Sequence, residues 1–418
     1  MFESLFRPGK LRARDAARPP QRARALETKA SPLVALQLLG RAPSWSPRDY
    51  ATLAREGVMQ NAIAYRCVRM IAEAAASVPW LLYEGATELE DHPLLSLLIQ
   101  PNTGESGNAL FERWYAFLQV AGNAYLEAVS LRGDVRELYV LRPDRIKIVP
   151  GPRGWPMAYD YVVGAQATRL ARDESGFLPV LHGTLFHPLD DLNGFSPIEA
   201  AACAIDVHNA GAAWTKSLLD NAARPSGALI YKGPDGAPGL TTDQFDRLKR
   251  ELEDAYSGAA NAGRPMVLEG GLDWRAMSYT PQDMDFSGIR NAAAREIALA
   301  FGVPPMLLGI PGDNTYSNYR EANLAFWRQT VLPLVARTAQ SLTRWLAPKF
   351  EKGSLAPAGG EGRVRGSLRI GFDIDQVQAL ALERESVWDK LNAATFLTTN
   401  EKREAAGYSP VENGDGLV

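Results

Sequence analysis

The sequence predicts an α+β protein: a helical framework carrying a largely antiparallel sheet. Three observations lead there. From Asp283 to Leu346, apolar residues recur every three to four positions on both sides of a loop broken by glycine and proline. Between Asn123 and Phe186 the period falls to that of strands, punctuated by Gly133-Asp134 and Pro143-Asp144 turns. Near 225–282, strand and helix signals alternate again inside the helical frame. A chain of 418 residues, 46% hydrophobic and 22% charged, is long enough for such a multi-part fold with a sizeable core.

Residues 1–31 hold eight Lys and Arg against Glu3, Asp15 and Glu27, which predicts a mobile basic arm. Ser46–Ser77 reads as a helix through Val58, Ala62, Tyr65, Val68, Met70 and Ile71, stopped by Pro79. Trp80–Tyr83 is strand-like, His92-Pro93 opens a short helix, and Asn108–Ala121 is helical through Leu110, Trp114, Phe117 and Leu118. Strands are expected at Asn123–Leu131, Val135–Leu141, Ile146–Pro150, Tyr159–Val163 and Leu181–Phe186.

Ser196-Pro197-Ile198-Glu199 combines a serine cap, a proline at the first helical position and a glutamate at the third. The alanine-rich rod it opens runs to about Asn221, and its small side chains suit close packing in a bundle or ring. Next come a strand at Gly227–Lys232, a helix capped by Thr241 with Gln244 and stapled by Leu240 and Phe245, and strands at Met266–Glu269 and Leu272–Ser278.

A helix from about Asp283 buries Phe286, Ile289, Ala293, Ile297 and Phe301 and must end at Gly302-Val303-Pro304-Pro305. Beyond the loop 309–317, Asn318 and Glu321 suggest a capping pair for a long helix whose Pro333 predicts a kink. After a glycine-rich linker, a strand is expected at Ser367–Phe372, then a helix through Val377–Leu391 and a short one capped by Thr398 and Glu401.

The net charge of −3 gives no basis for tight non-specific nucleic-acid binding, although a surface along which DNA slides should itself avoid many phosphate-gripping cations. Two cysteines, Cys67 and Cys203, read as reduced core thiols. No stretch reads as a signal peptide or membrane span: the uncharged run Ile297–Gly312 is short and holds three prolines. Phosphate-loop, nucleophile-elbow, zinc-helix and dinucleotide motifs are absent. His182 and His187, near Asp190 and Asp191, lie in a strand-to-turn passage that gives neither a metal geometry nor convergent acids; His92 and His208 are isolated.

The order of segments resembles the portal proteins of tailed double-stranded DNA phages, of the HK97-like family. The passages carrying the resemblance are Gly194–Glu199, Gly263–Leu272, Phe301–Gly309, Tyr316–Tyr319 and Leu332-Pro333. The compact length also resembles the portals of gene transfer agents, phage-like particles that carry host DNA. The resemblance implies a phage portal architecture with wing, helical stem, α/β clip insertion, tunnel loop and small helical crown. It places a basic flexible arm and linker at 1–49, the first part of the wing at 50–195, a stem helix at 196–224 and the clip at 225–282. A second stem helix follows at 283–304, the tunnel loop at 305–318, a long kinked helix with the second part of the wing at 319–375, and crown and tail at 376–418.

It further implies a homo-oligomeric ring of roughly twelve copies at one capsid vertex, without a membrane. Double-stranded DNA passes through that ring, which docks the terminase large subunit during packaging and a head-tail adaptor afterwards, beside the major capsid protein. Its location would be the virion or phage-like particle, after assembly in the bacterial cytoplasm. No catalytic residue, cofactor or metal is implied, and the chain is not expected to be an enzyme. The tunnel-loop candidates are Asp313, Asn314, Thr315, Tyr316, Asn318 and Arg320; the stem channel-lining candidates are Asp283, Asp285, Arg290, Arg295 and Glu296. Neutral polar loop residues would let phosphate pass, Asp313 would repel it, and Arg320 would grip it or pair with an acid of the neighbouring subunit. Two other classes stay open: a ring scaffold or adaptor that carries no DNA, and a hydrolase with a site near His182–Asp191.

Overall fold

The computed structural model describes residues 44–220, 227–231, 241–256, 272–276, 285–312, 315–351, 367–406, 411 and 414–416. The chain divides into two units, Met1–Ser44 and Trp45–Val418, and the fold below is that of the second. The basic arm, the expected strand 266–269, Leu240 and the glycine-rich linker lie outside the described residues.

Helix α1 (Tyr50–Thr52) passes directly into a π turn (Leu53–Met59), and α2 (Ala62–Ala76) starts afresh beyond it. The single helix expected over 46–77 is therefore broken, and Asn61 is the reason. It sits in extended backbone, and its Oδ1 accepts from the N–H groups of Ile63 and Ala64. Being 1% exposed, it needs partners for its amide nitrogen too, and donates to Asn209 Oδ1 at 2.9 Å beside the His208 ring.

Strand β1 (Trp80–Glu84) turns into β2 (Thr87–Glu88), followed by α3 (Pro93–Ile99), which His92 caps through Nδ1, and by α4 (Gly107–Ala121). Helices α2 and α4 pack together and bury Ile71, Leu110, Phe111, Trp114 and Tyr115 in the main core. Side chains of that size contribute on the order of 2–3 kcal/mol each on full burial.

The sheet region holds β3 (Asn123–Leu131), β4 (Asp134–Leu141), β5 (Ile146–Pro150), β6 (Pro156–Val163), β7 (Gln166–Ala171) and β8 (Val180–Thr184). They form two antiparallel sheets, ordered β4-β3-β8 and β5-β6-β7. Strand β7 carries no apolar alternation and was not expected; it is an exposed edge that pairs Asp160 with Arg169 across the register. Tyr125, Leu141, Tyr159 and Val180 make a second, smaller core shared by the two sheets.

Glycine is required where the sheet region meets the rod that follows. A Cβ on Gly194 would stand 2.0 Å from the carbonyl oxygen of Gly122, itself a left-handed helix terminus at φ +68°. Asn123 Oδ1 accepts from the Gly194 N–H at 2.8 Å and closes the junction.

The rod comes in two pieces, α5 (Pro197–Ala200) and α6 (Ala202–Asp220), with Ser196 Oγ accepting the Glu199 N–H as the expected cap. The chain ahead of α1 lies along it: Ser46 donates to Asp206 through both N and Oγ, and Arg48 donates to Glu199 O and Cys203 Sγ. Only Cys67 is a core thiol, its pKa pushed up to about 12 by burial. Cys203 is exposed, contrary to expectation: it lies on the polar face of the rod, with Glu199 four positions before it and Asp206 three after.

The insertion contributes β9 (Gly227–Tyr231), α7 (Thr242–Tyr256) and β10 (Leu272–Ala276), with β9 and β10 antiparallel. Thr241 and Gln244 form the expected reciprocal cap. Helix α8 (Phe286–Phe301) returns alongside α6, then α9 (Tyr316–Phe326), a π turn (Trp327–Val331) and α10 (Leu332–Glu351) run on without a break. The irregularity foreseen at Pro333 takes the form of this π turn, in which the Leu332 N–H bonds back to Trp327 O. Strand β11 (Leu368–Phe372) then pairs with β1, so the chain after α10 rejoins the layer it began in. Helices α11 (Ala381–Ala393) and α12 (Thr399–Ala405) close the chain, α12 with the full Thr398–Glu401 capping box.

Candidate DNA-channel element

The segment from α8 to α9 holds most of the candidate residues, and the structure gives several of them local duties. Asp283, Asp313 and Asn314 lie outside the described residues. Asp285 caps α8: its carboxylate accepts from the Gly288 N–H at 3.0 Å, and a Cβ on Gly288 would clash with it. It does so from left-handed backbone at φ 41°. Channel lining and capping are not exclusive, but the cap alone explains an aspartate here.

Helices α6 and α8 are joined by Trp214 stacked on Phe286 at 3.8 Å. Arg290 is half-buried and lays its aliphatic stem against Gly211, where a Cβ would come within 3.0 Å of Cγ. Its Nε is shielded from solvent and has no partner among the described residues. Burial, followed by the Arg290 charge, holds the His208 pKa below its ordinary value. Arg290 is thus part of the helix pairing, while Glu296 lies exposed on α8. Ile289, expected in the core, is 46% exposed, because α8 turns Ala294 and Ala298 inward with Ala293 and Ile297.

Three contacts fix the base of the loop. Gly302 ends α8 in left-handed backbone, and Thr330 Oγ1 donates to its carbonyl at 2.6 Å. Ile310, 5% exposed, inserts against Ala294 and Ala298. Arg295 reaches from α8 to hydrogen-bond the carbonyl of Pro311. Sequence reading assigned Arg295 to channel lining and missed this clamp, since a partner sixteen positions away leaves no local signal.

On the far side, the cap of α9 stands three residues before the expected one, Asn318. Thr315 is the cap, its Oγ1 accepting from the Asn318 N–H at 3.2 Å. Tyr316 opens the helix, and Arg320 pairs with its neighbour Glu321 at 3.5 Å on an exposed face. Such an exposed pair contributes little to stability. The segment between the Pro311 clamp and the Thr315 cap is therefore short, with both ends fixed to helices.

The residues of the hydrolase reading do not converge. His182 is stacked on Tyr125 at 4.3 Å with Nε2 3.0 Å from Asn123 Oδ1, and burial pushes its pKa down to about 4. His187 Nδ1 accepts from the Leu189 N–H, and Asp190 accepts from the Asn193 side chain and from the N–H groups of Asn193 and Leu192, which in that order hold its pKa down to about 2. Each shapes the turn that follows β8. Among the described residues no three His, Cys, Asp or Glu side chains gather as a metal site. No helix among them is long and apolar enough to cross a membrane.

Two paired helices, α6 and α8, bracket a small α/β insertion, and a loop tied to α8 leads into the long helix formed by α9 and α10. Residues 62–407 match the phage portal protein family, and the chain belongs to it. A protein of Rickettsia bellii is 41% identical over 364 residues, 86% of this chain and 89% of its own length. The portal protein of Enterobacteria phage HK97 is 26% identical over 377 residues, 86% of this chain and 81% of the phage protein. Among solved structures, a chain in the neck of a gene transfer agent particle is 48% identical and covers 91% of this chain and 99% of itself. It superposes with a TM-score of 0.68 in the empty particle, solved with C6 symmetry, and 0.65 in the native particle, solved with C12 symmetry. At the general level the function is that of a portal: the DNA channel of a phage-type particle and the dock of its packaging machinery.

Proposed function

We propose that this chain forms a ring of twelve copies at one vertex of a gene-transfer-agent-type particle, with the loop 305–318 narrowing the bore. The observation that carries the reading is the loop base: Ile310, Arg295 and Thr330 fix one end and Thr315 caps the helix at the other, with only Gly312, Asp313 and Asn314 between Pro311 and Thr315 in the sequence. Residues 50–195 with 319–375 form the wing, 196–224 and 283–304 the stem, 225–282 the clip and 376–418 the crown. The β1–β11 pairing supports a wing assembled from two stretches of chain. Thr315, Asn318 and Arg320 then face the channel with Asp313 and Asn314, and Glu296 lies on the stem wall. The terminase large subunit docks at the clip during packaging and the head-tail adaptor replaces it; the major capsid protein surrounds the wing. Assembly takes place in the bacterial cytoplasm and the product resides in the particle.

Two measurements test this. Native mass and negative-stain images of the purified protein should show rings of about twelve copies with an axial hole; a stable monomer overturns the reading. Deletion of 310–317 should leave rings intact and abolish DNA packaging or retention; normally filled particles would remove the loop from the mechanism.

A further inference from the structure

A cavity of about 510 Å³ lies between the turn after β7 and the outer half of α10. Its floor is fixed: Phe177 stacks on Trp345 at 5.8 Å, and Trp345 Nε1 donates to Leu178 O at 2.8 Å. Lys349 is already satisfied there, donating to Asp173 and Ser175 at 2.9 Å each with its ammonium 4.5 Å from the Phe177 ring. The buried His182 wall is neutral at pH 7, since burial alone pushes its pKa down to about 4. Two charges remain at the mouth. Arg172 gives one N–H to Gly176 O at 2.8 Å, Arg344 is exposed on α10, and neither has a carboxylate partner among the described residues.

We propose that this groove docks an acidic segment with an apolar anchor, supplied by a protein outside the ring. The anchor fills the aromatic floor, and its flanking carboxylates take the two guanidiniums, whose planar fork matches a carboxylate. The volume holds two or three side chains and excludes a nucleic-acid duplex. The placement of the partner rests on the proposed function: Arg344 stands about 42 Å along the helix from Tyr316, at about 1.5 Å per residue. With the loop at the axis, the groove is at the outer rim, where the surrounding shell is.

Anisotropy of two fluorescein-labelled peptides, Gly-Asp-Glu-Leu-Phe-Glu-Asp-Gly and its Asn/Gln isostere, tests the groove on the full-length protein. A ten-residue oligothymidine serves as the competing anion. The acidic peptide should bind about tenfold tighter than the neutral one and weaken steeply with salt. Arg344→Gln and Arg172→Gln should each weaken it by about fivefold without changing the melting temperature. Equal binding of the two peptides, preference for the oligonucleotide, or wild-type affinity in Arg344→Gln overturns the proposal. The wild-type comparison decides even where a variant misfolds. Rings without peptide binding overturn the groove alone; peptide binding without rings overturns the proposed ring and the placement of the partner and leaves the groove.

Discussion

Replacing Arg295 by alanine removes one hydrogen bond and leaves every other loop anchor in place. The bond to the Pro311 carbonyl lies at the surface, where a net contribution of about 1 kcal/mol is usual. Ile310 stays buried against Ala294 and Ala298, and burial of an isoleucine contributes about 2 kcal/mol. The base therefore loosens rather than detaches: an opening equilibrium shifted by about 1 kcal/mol is populated roughly five times more. Hydrogen exchange reads this at the Ile310 amide, which bonds to Pro305 O in the closed loop. Its exchange should rise about fivefold, while amides along α10 and the melting temperature hold. If the Ile310 amide exchanges at the wild-type rate, Arg295 is not a clamp and the loop is held by burial alone.

Gly194→Ala should cost at least about 3 kcal/mol, because the new Cβ meets the Gly122 carbonyl and the backbone must part to admit it; wild-type stability in urea would contradict the close approach. The His182 pKa near 4 lies below its usual ~6.5, so the unfolded chain binds the proton first as pH falls. Stability is accordingly full above pH ~6.5, declines towards pH ~4 by up to about 3 kcal/mol and is flat below for this group. His182→Gln should remove that slope in denaturant midpoints measured at pH 7 and pH 4.5, and an unchanged slope would place the titration elsewhere.

Elements announced by local chemistry were legible in the sequence. The caps at Ser196, Thr241 and Thr398 depend on residues within three positions and appear as read. The strands β3, β4 and β5 show in their alternation, and α8 in its spacing and its glycine–proline stop. Misread places are those where two local solutions compete or where the partner is remote. Thr315 and Asn318 both make good caps, and Thr315 takes the role by accepting the Asn318 N–H, which starts the helix a turn earlier. Asn61 interrupts an apolar stripe without a proline or glycine to mark it; its partners Asn209 and His208 lie on a helix about 150 positions away. Strand β7 is exposed along nearly all its length and has no face to pattern. Among the channel candidates, Asp285 and Thr315 are local caps, whereas the Arg295 bond to Pro311 and the Arg290 stem against Gly211 join remote stretches and left no local signal.

The π turn at Trp327–Val331 makes the helix it interrupts unequal in its tolerance of length changes. A π turn carries one residue more than the α-helix it replaces. Removing one residue there straightens the coil and leaves both flanks pointing as before; removing one anywhere else in α9 or α10 swings the outer half round by about 100°. Loss of a single residue from this long helix is thus absorbed at those five positions and at no others in it.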